Sequence, residues 1–443
     1  MRAIFQKISK GLNNQLIKNI LLVGGMTFGV KILGFLKELI IAYYIGLSEL
    51  IDTFLLALLI PGLINTIFLG PYNSVFIPNF LIAKEEGEDM SSFLGKTLSI
   101  SFYTSLILVL ATFLISDVFV EFLYRGHTSE YYQLIKNQLY FLLPCISIWA
   151  ITSVLNGLLN IHREFLFSSL SGIFTPIATI LFLLFFRNTF GELVLALGTL
   201  IGSSLNLVYL ILLCTRKGIL KVKFTSGRTK NITLMIKQIP AKISSALING
   251  LNEPVDKYFS AQMAIGSVAA LNYANKLPAF AIGIFAIAIG NVVLPHFSSL
   301  AVKSHSLALQ GLKKMTSMVF LAGVVIAIVM FATSEPLISL LFERNEFRSS
   351  DTQFVFPIQQ MFVLQIPFYA VGVIFNKFLT SINKNNFLVI SSLISLILNI
   401  VLNTVLINSM GVSGLALATS LVSFTNTAVL FVYISRLKLH VNV

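Results

Sequence analysis

Long apolar runs separated by short polar ones set the rhythm of this sequence. Runs long enough to cross a hydrocarbon layer of about 30 Å fall near 16–45, 50–83, 93–115, 131–160, 166–186, 191–214, 232–262, 267–299, 307–332, 351–382, 386–407 and 411–435. They predict twelve transmembrane helices. Several are longer than a perpendicular crossing needs, so those helices tilt, kink or project beyond the bilayer. Prolines 61, 78, 144, 278, 295 and 367 stand inside the runs. A proline break within a membrane persists where protein or a water-filled cavity satisfies the freed backbone groups. Pro61, Pro78, Pro278 and Pro295 are therefore expected as helix breaks or hinges.

The pattern also repeats. "SVFIPNFLIAK" (74–84) resembles "NVVLPHFSSLAVK" (291–303), and Pro61 precedes Pro78 by the interval at which Pro278 precedes Pro295. "FLYRG" (122–126) and "LFERN" (341–345) hold matching loop positions, and Pro144 and Pro367 matching helices. The expected organisation is an N-terminal six-helix lobe, 1–214, a basic linker loop, 215–231, and a C-terminal six-helix lobe, 232–443. Six is even, so the halves share one orientation, as parallel repeats about an axis along the membrane normal, with a substrate site between them near the midplane.

Composition agrees with a membrane solvent. The 443 residues are 56% hydrophobic and only 11% charged, against about 25% charged in soluble domains. The fold class is an all-α polytopic membrane protein. Net charge is +13, but its placement argues topology rather than nucleic acid. With the N-terminus inside, cytoplasmic segments hold about 20 of the 31 basic residues. Outer loops hold Arg125, Arg187, Arg344 and Arg348. Both termini are expected in the cytoplasm, with attraction to anionic lipids as a by-product. The basic amphipathic opening lacks a small-residue cleavage site and reads as a retained terminus rather than a signal peptide. Cys145 and Cys214 lie in apolar runs, and the histidines are scattered without ligand spacing, so neither a metal site nor a disulfide framework is expected.

Seven lysines lie inside spans: Lys31, Lys37, Lys136, Lys242, Lys257, Lys276 and Lys377. Each charge at a bilayer centre costs about 2.5–3.5 kcal/mol on insertion scales. Lys31 and Glu38 share a helix face, with Lys37 about 120° round from Lys31, and Asp52 opens the next span. In the seventh span Lys242, Ser245, Asn249, Asn252, Glu253 and Asp256 recur at steps of three and four, a polar stripe on an apolar helix. The eighth adds Asn272, Asn275 and Lys276. Such stripes face a bundle interior or water. Cations outnumber nearby anions, and lysine suits phosphate as a compact charge, so a central cavity for an anionic substrate is expected. For Lys136, Lys377, Lys242 and Lys257 the competing reading is a side chain that snorkels to the interface.

No catalytic site is expected. "GKT" at 95–97 lacks the P-loop glycine, since Met90 stands in that place, and it opens a membrane helix without a preceding strand. Neither nucleotide nor other cofactor is implied. Glu343, Glu346 and Asp351 read as solvated loop charges.

At these residues the sequence resembles the MurJ/MviN family of lipid II flippases, within the multidrug/oligosaccharidyl-lipid/polysaccharide exporter superfamily. The resemblance rests on "KILGFLKELIIAYYIGLSELIDTFLLALLIPGL", "VFIPNF", "NYANKLPAFAIGIFAIAIGNVVLP" and "LFERNEF", in register across nearly all twelve helices. It implies a V-shaped flippase fold and alternating access for a polyprenyl-diphosphate-linked glycan. Matched residue by residue, it places Lys31, Lys37 and Lys276 as the substrate-binding cations. Glu38, Asp52, Asn249, Asn252, Glu253, Asp256, Asn272 and Asn275 support them on the cavity wall. Departures are the lysines at all three basic positions, which lack the bidentate fork of arginine, and Ala279 near where a glutamate is usual. The sequence also stops after the twelfth helix, where the family usually has fourteen.

The expected protein is thus a monomeric flippase of the bacterial inner membrane, a transporter and not an enzyme, carrying lipid II for peptidoglycan biosynthesis, with its coupling ion unread. The alternatives are a flippase for a capsule, exopolysaccharide or O-antigen unit, a multidrug/ion antiporter, and a membrane enzyme that uses polyprenyl-linked sugars.

Overall fold

The computed structural model describes residues 15–124, 126–225, 227, 229–303, 305–382 and 384–437. Residues 1–14 of the basic opening stretch, and Arg125 and Arg228, lie outside them. Each predicted span falls on helix. The first half comprises α1 (Gln15–Ile45), α2 (Glu49–Ile64), α3 (Gly70–Glu85), α4 (Met90–Leu123), α5 (Ser129–Ile161), α6 (Phe165–Leu170), α7 (Phe174–Phe190) and α8 (Val194–Arg216). After the basic loop come α9 (Lys230–Gly250), α10 (Asn252–Ser260), α11 (Ser267–Lys303), α12 (His305–Ala332), α13 (Ser334–Phe342), α14 (Ser349–Val363), α15 (Ile366–Ser381), α16 (Asn385–Met410) and α17 (Val412–Arg436). Among the described residues, β pairing is confined to one isolated bridge between Arg344 and Phe347.

Eight helical segments of the described residues are long and apolar enough to cross a membrane. That set leaves out α1, α9–α10 and α11, the helices that carry the charges singled out above. Large apolar side chains such as Leu114, Val118 and Phe185 are more than 70% exposed. In water such a surface would drive association; in hydrocarbon it is already solvated.

Helix breaks follow backbone chemistry. The predicted second span is interrupted by a π-turn at Asn65–Leu69, beyond Pro61, and Gly70 returns its N–H to the Asn65 carbonyl. Pro78 lies inside α3 and Pro278 inside α11 without ending either helix. The seventh span divides at Leu251 and the tenth at Leu364–Gln365, just before Pro367.

The helices form two compact units. The first holds the described residues of Met1–Ile41 together with Ala57–Phe122 and Thr128–Ala246. Its core joins Phe76 and Phe80 of α3, Phe93 of α4, Val154 and Leu158 of α5, and Ile232 and Met235 of α9. The linker loop lies on this unit: the Lys223 N–H donates to the Ser91 carbonyl at 3.0 Å, and a Cβ on Gly95 would collide with Lys223 backbone. Glu86 accepts hydrogen bonds from Asn231 at 2.7 Å and Lys230 at 3.1 Å. These, Asn231 foremost, hold its carboxyl below the usual range. Helices α7 and α8 approach through glycine. A Cβ on Gly202 would stand 2.5 Å from the Thr175 Cα and one on Gly198 2.8 Å from the Thr179 Cα. Gly202→Val must therefore push the two helix backbones apart, and it is expected to destabilise the unit by about 1–3 kcal/mol. Thermal unfolding in detergent reads this; an unchanged midpoint would contradict the close approach.

The second unit holds Ala42–Leu56, Leu123–His127 and Leu247–Val443. Its core joins Phe297 of α11, Leu312 of α12, Ile374, Phe375 and Phe378 of α15, and Leu430 and Ile434 of α17. The last turn of α1 and the start of α2 thus pack with the second half of the chain.

Candidate functional site

In the first unit, α1 presents Lys31, exposed and without an ion pair among the described residues, and Lys37, whose Nζ lies 2.9 Å from Glu38 Oε1. Successive helix residues do not normally face each other, but the two long side chains bend together, and both are mostly covered, at 22% and 12% exposure. A Cβ on Gly24, Gly25, Gly29 or Gly34 would meet no atom within 4 Å. These glycines therefore open space beside the lysines instead of admitting another helix.

The second unit holds the remaining candidates. Asp52 is 1% exposed. Its Oδ2 accepts from the Gly266 N–H at 2.6 Å and its Oδ1 from the Ala269 N–H at 2.7 Å. These are orphan donors at the start of α11, where the helix dipole also favours an anion. Asp52, expected on a cavity wall, is here a helix cap. The motif loops close around the same end of the unit. The Tyr43 carbonyl accepts from Asn345 Nδ2 at 3.0 Å and the Glu346 N–H at 3.2 Å. Gly46 has φ +62°, and a Cβ there would lie 2.5 Å from the Glu346 carbonyl oxygen, so only glycine fits. His127 Nε2 donates to the Ala261 carbonyl at 2.6 Å. Glu343 accepts from Thr352 and Asp351 caps the Arg348 N–H, so two carboxylates that read as loose loop charges in fact hold the "LFERN" turn.

Asp256 is buried among amides. Asn403 Nδ2 donates to it at 2.7 Å, Asn399 Nδ2 at 3.0 Å and Thr419 Oγ1 at 3.0 Å. Sequence reasoning misses those three partners, although Asn399 and Asn403 stand i, i+4 in an apolar run, which is itself the signal of a polar stripe. On another side of α10, Lys257 Nζ lies 2.9 Å from Glu253 Oε1, and Lys276 of α11 acts electrostatically on the same carboxylate. Asn252 Oδ1 is buried without a hydrogen-bond partner among the described residues. Asn272 and Asn275 are half-buried on α11 beside Lys276. Asn249 and Pro295 lie outside the residues whose side chains are described. Each unit thus carries its own lysine–carboxylate group, on α1 in the first and on α10 in the second.

Among the described residues, eight helices fit to cross a membrane, breaks within them, and charged groups on the helices packed with them are the architecture of a membrane transporter. Residues 41–441 match the family model described as lipid II flippase MurJ, and the chain belongs to that family. It is 27% identical over 439 residues to the protein of Buchnera aphidicola subsp. Schizaphis graminum named "Probable lipid II flippase MurJ", covering 94% of this chain and 82% of the relative. The Vibrio cholerae protein of the same name is 26% identical over 446 residues, with 95% and 83% covered. Among solved structures, lipid II flippase MurJ in an inward closed conformation matches with TM-score 0.82 at 23% identity, over 94% of this chain and 87% of that one. A MOP superfamily transporter from Pyrococcus furiosus matches with TM-score 0.68 at 13% identity, over 95% and 96%. The fold is that of these transporters.

Proposed function

We propose that this protein moves lipid II, a polyprenyl-diphosphate-linked glycan precursor of peptidoglycan, across the bacterial inner membrane by alternating access. The observation that carries the reading is the family match over residues 41–441. Lys31, a cation of a membrane helix with no ion pair among the described residues, supports it, because an anionic ligand would offset the cost of that charge. Lys31, Lys37 and Lys276 bind the substrate's diphosphate and adjoining sugar. Glu38, Asn272 and Asn275 tune their charge and hydrogen bonding. The Lys/Arg asymmetry supports cytoplasmic termini, and the basic loop draws anionic lipid heads to that side. The protein acts as a monomer. Lysine at all three basic positions favours, as a second reading, a different lipid-linked glycan whose phosphates need no bidentate grip.

The test is reconstitution. Purified protein in vesicles carrying lipid II in one leaflet is expected to expose it to an impermeant label at the other leaflet, well above the protein-free rate. Transfer at the protein-free rate by folded protein would exclude lipid II. Transfer of a capsule-type lipid-linked unit alone would establish the second reading.

A further inference from the structure

Helix α10 carries Glu253, Asp256 and Lys257 within two turns. Asp256 is held by Asn399, Asn403 and Thr419, so its oxygens are occupied. Glu253 and Lys257 form an i, i+4 pair in the favoured order, glutamate first. Their exposures differ sharply. The Lys257 side chain is 14% exposed and that of Glu253 74%. The cation is set into the protein while the anion stands out from it. Lys276 contributes a second positive charge to the same carboxylate. Its own helix, Ser267–Lys303, contains no aspartate or glutamate, so counter-charge for Lys276 must come from another element.

An ion pair with one solvent-exposed partner is worth only about 0–1 kcal/mol, so that partner is readily exchanged. Here one partner is fixed and the other can turn into open space at small cost. We propose that Glu253 is the resident counter-anion of a diphosphate subsite formed by Lys257 and Lys276, and that the substrate's diphosphate displaces it. Lys257 thereby joins Lys276 as a substrate-binding residue. This inference rests on reading the protein as a polyprenyl-diphosphate flippase. Its physical basis is competition. With no substrate bound, Glu253 answers the positive charge of both lysines, bonded to Lys257 and within electrostatic reach of Lys276. A diphosphate brings more negative charge and several strong acceptor oxygens, so it replaces a single carboxylate. The released glutamate swings away without leaving a buried unpaired group. Headgroup binding is then an exchange of anions, which keeps affinity moderate and lets the substrate leave.

The experiment is calorimetric binding of geranyl diphosphate, and of inorganic diphosphate, to the full-length protein in detergent. Wild type is expected to bind. Glu253→Gln, isosteric and exposed, is expected to bind about two- to fivefold tighter, the equivalent of one partly solvated ion pair. Lys257→Gln is expected to bind more weakly, and Glu253→Gln combined with Lys257→Gln to lose the gain. Glu253→Asp, which keeps the charge, should match wild type. Unchanged or weaker binding by Glu253→Gln, with wild type binding normally, would overturn the exchange while leaving the transport reading intact. Wild-type protein that neither binds diphosphate nor moves lipid II would overturn both.

Discussion

Replacing Lys31, Lys37 and Lys276 together with alanine is expected to abolish growth rescue in a host depleted of its own lipid II flippase, where wild-type protein is expected to restore growth. Each contact between an ammonium and a phosphate oxygen contributes about 1.5–3 kcal/mol. A single loss therefore weakens substrate binding on the order of 10- to 100-fold, and the triple loss leaves no useful occupancy. The three positions are not equivalent. Lys31 is exposed and without an ion pair among the described residues, so Lys31→Ala is expected to weaken substrate binding and leave stability nearly unchanged. Lys37 is bonded to Glu38. Lys37→Ala would break the ion pair with Glu38, so it should lower expression as well as activity. The double variant Lys37→Ala/Glu38→Gln should recover the expression and not the activity. Colony counts after depletion, normalised to protein in the membrane, read both effects. Full rescue by the triple variant would remove these lysines from substrate binding.

The largest stability effect is expected at Asp52. Asp52→Ala leaves the Gly266 and Ala269 amides buried without acceptors. Caps lost from helix N-termini cost about 0.5–2 kcal/mol, and each stranded donor about 1–3 kcal/mol. A total of about 2–4 kcal/mol is expected, seen as a lower unfolding midpoint. Asp52→Asn keeps one acceptor oxygen but turns an amide group toward the other N–H, so it should fall between wild type and alanine. Hydrogen exchange places the effect: protection should drop at 266–270 before it drops in α15. Uniform loss across the unit, or none at 266–270, would show that Asp52 does not act as a cap.

The same two cases show how far the sequence could be read. The spans were legible because crossing a bilayer is a local demand: a run is long and apolar enough or it is not, whatever lies elsewhere in the chain. Asp52 was not. Its acceptor role depends on amides 214 and 217 residues away, and nothing in "SELIDTF" says which helix start it meets. Asp256 likewise depends on Asn399 and Asn403, 143 and 147 residues distant. The "LFERN" motif could be recognised by resemblance, yet its grip on Tyr43, reached across 302 residues by Asn345, belongs to the fold.

Taken alone, then, the sequence determined that this is an all-helical membrane protein of the lipid II flippase type. It placed the spans and marked which of them carry charge, because hydrophobic length and motif order are written residue by residue. Only the tertiary structure decided what each charge is for. Asp52 and Asp256 are satisfied by donors that the fold brings to them, whereas Lys31 stands open and Glu253 projects beside Lys257. The cost of an ion in a membrane is set by the neighbours that replace its water, and those neighbours come from distant regions of the chain.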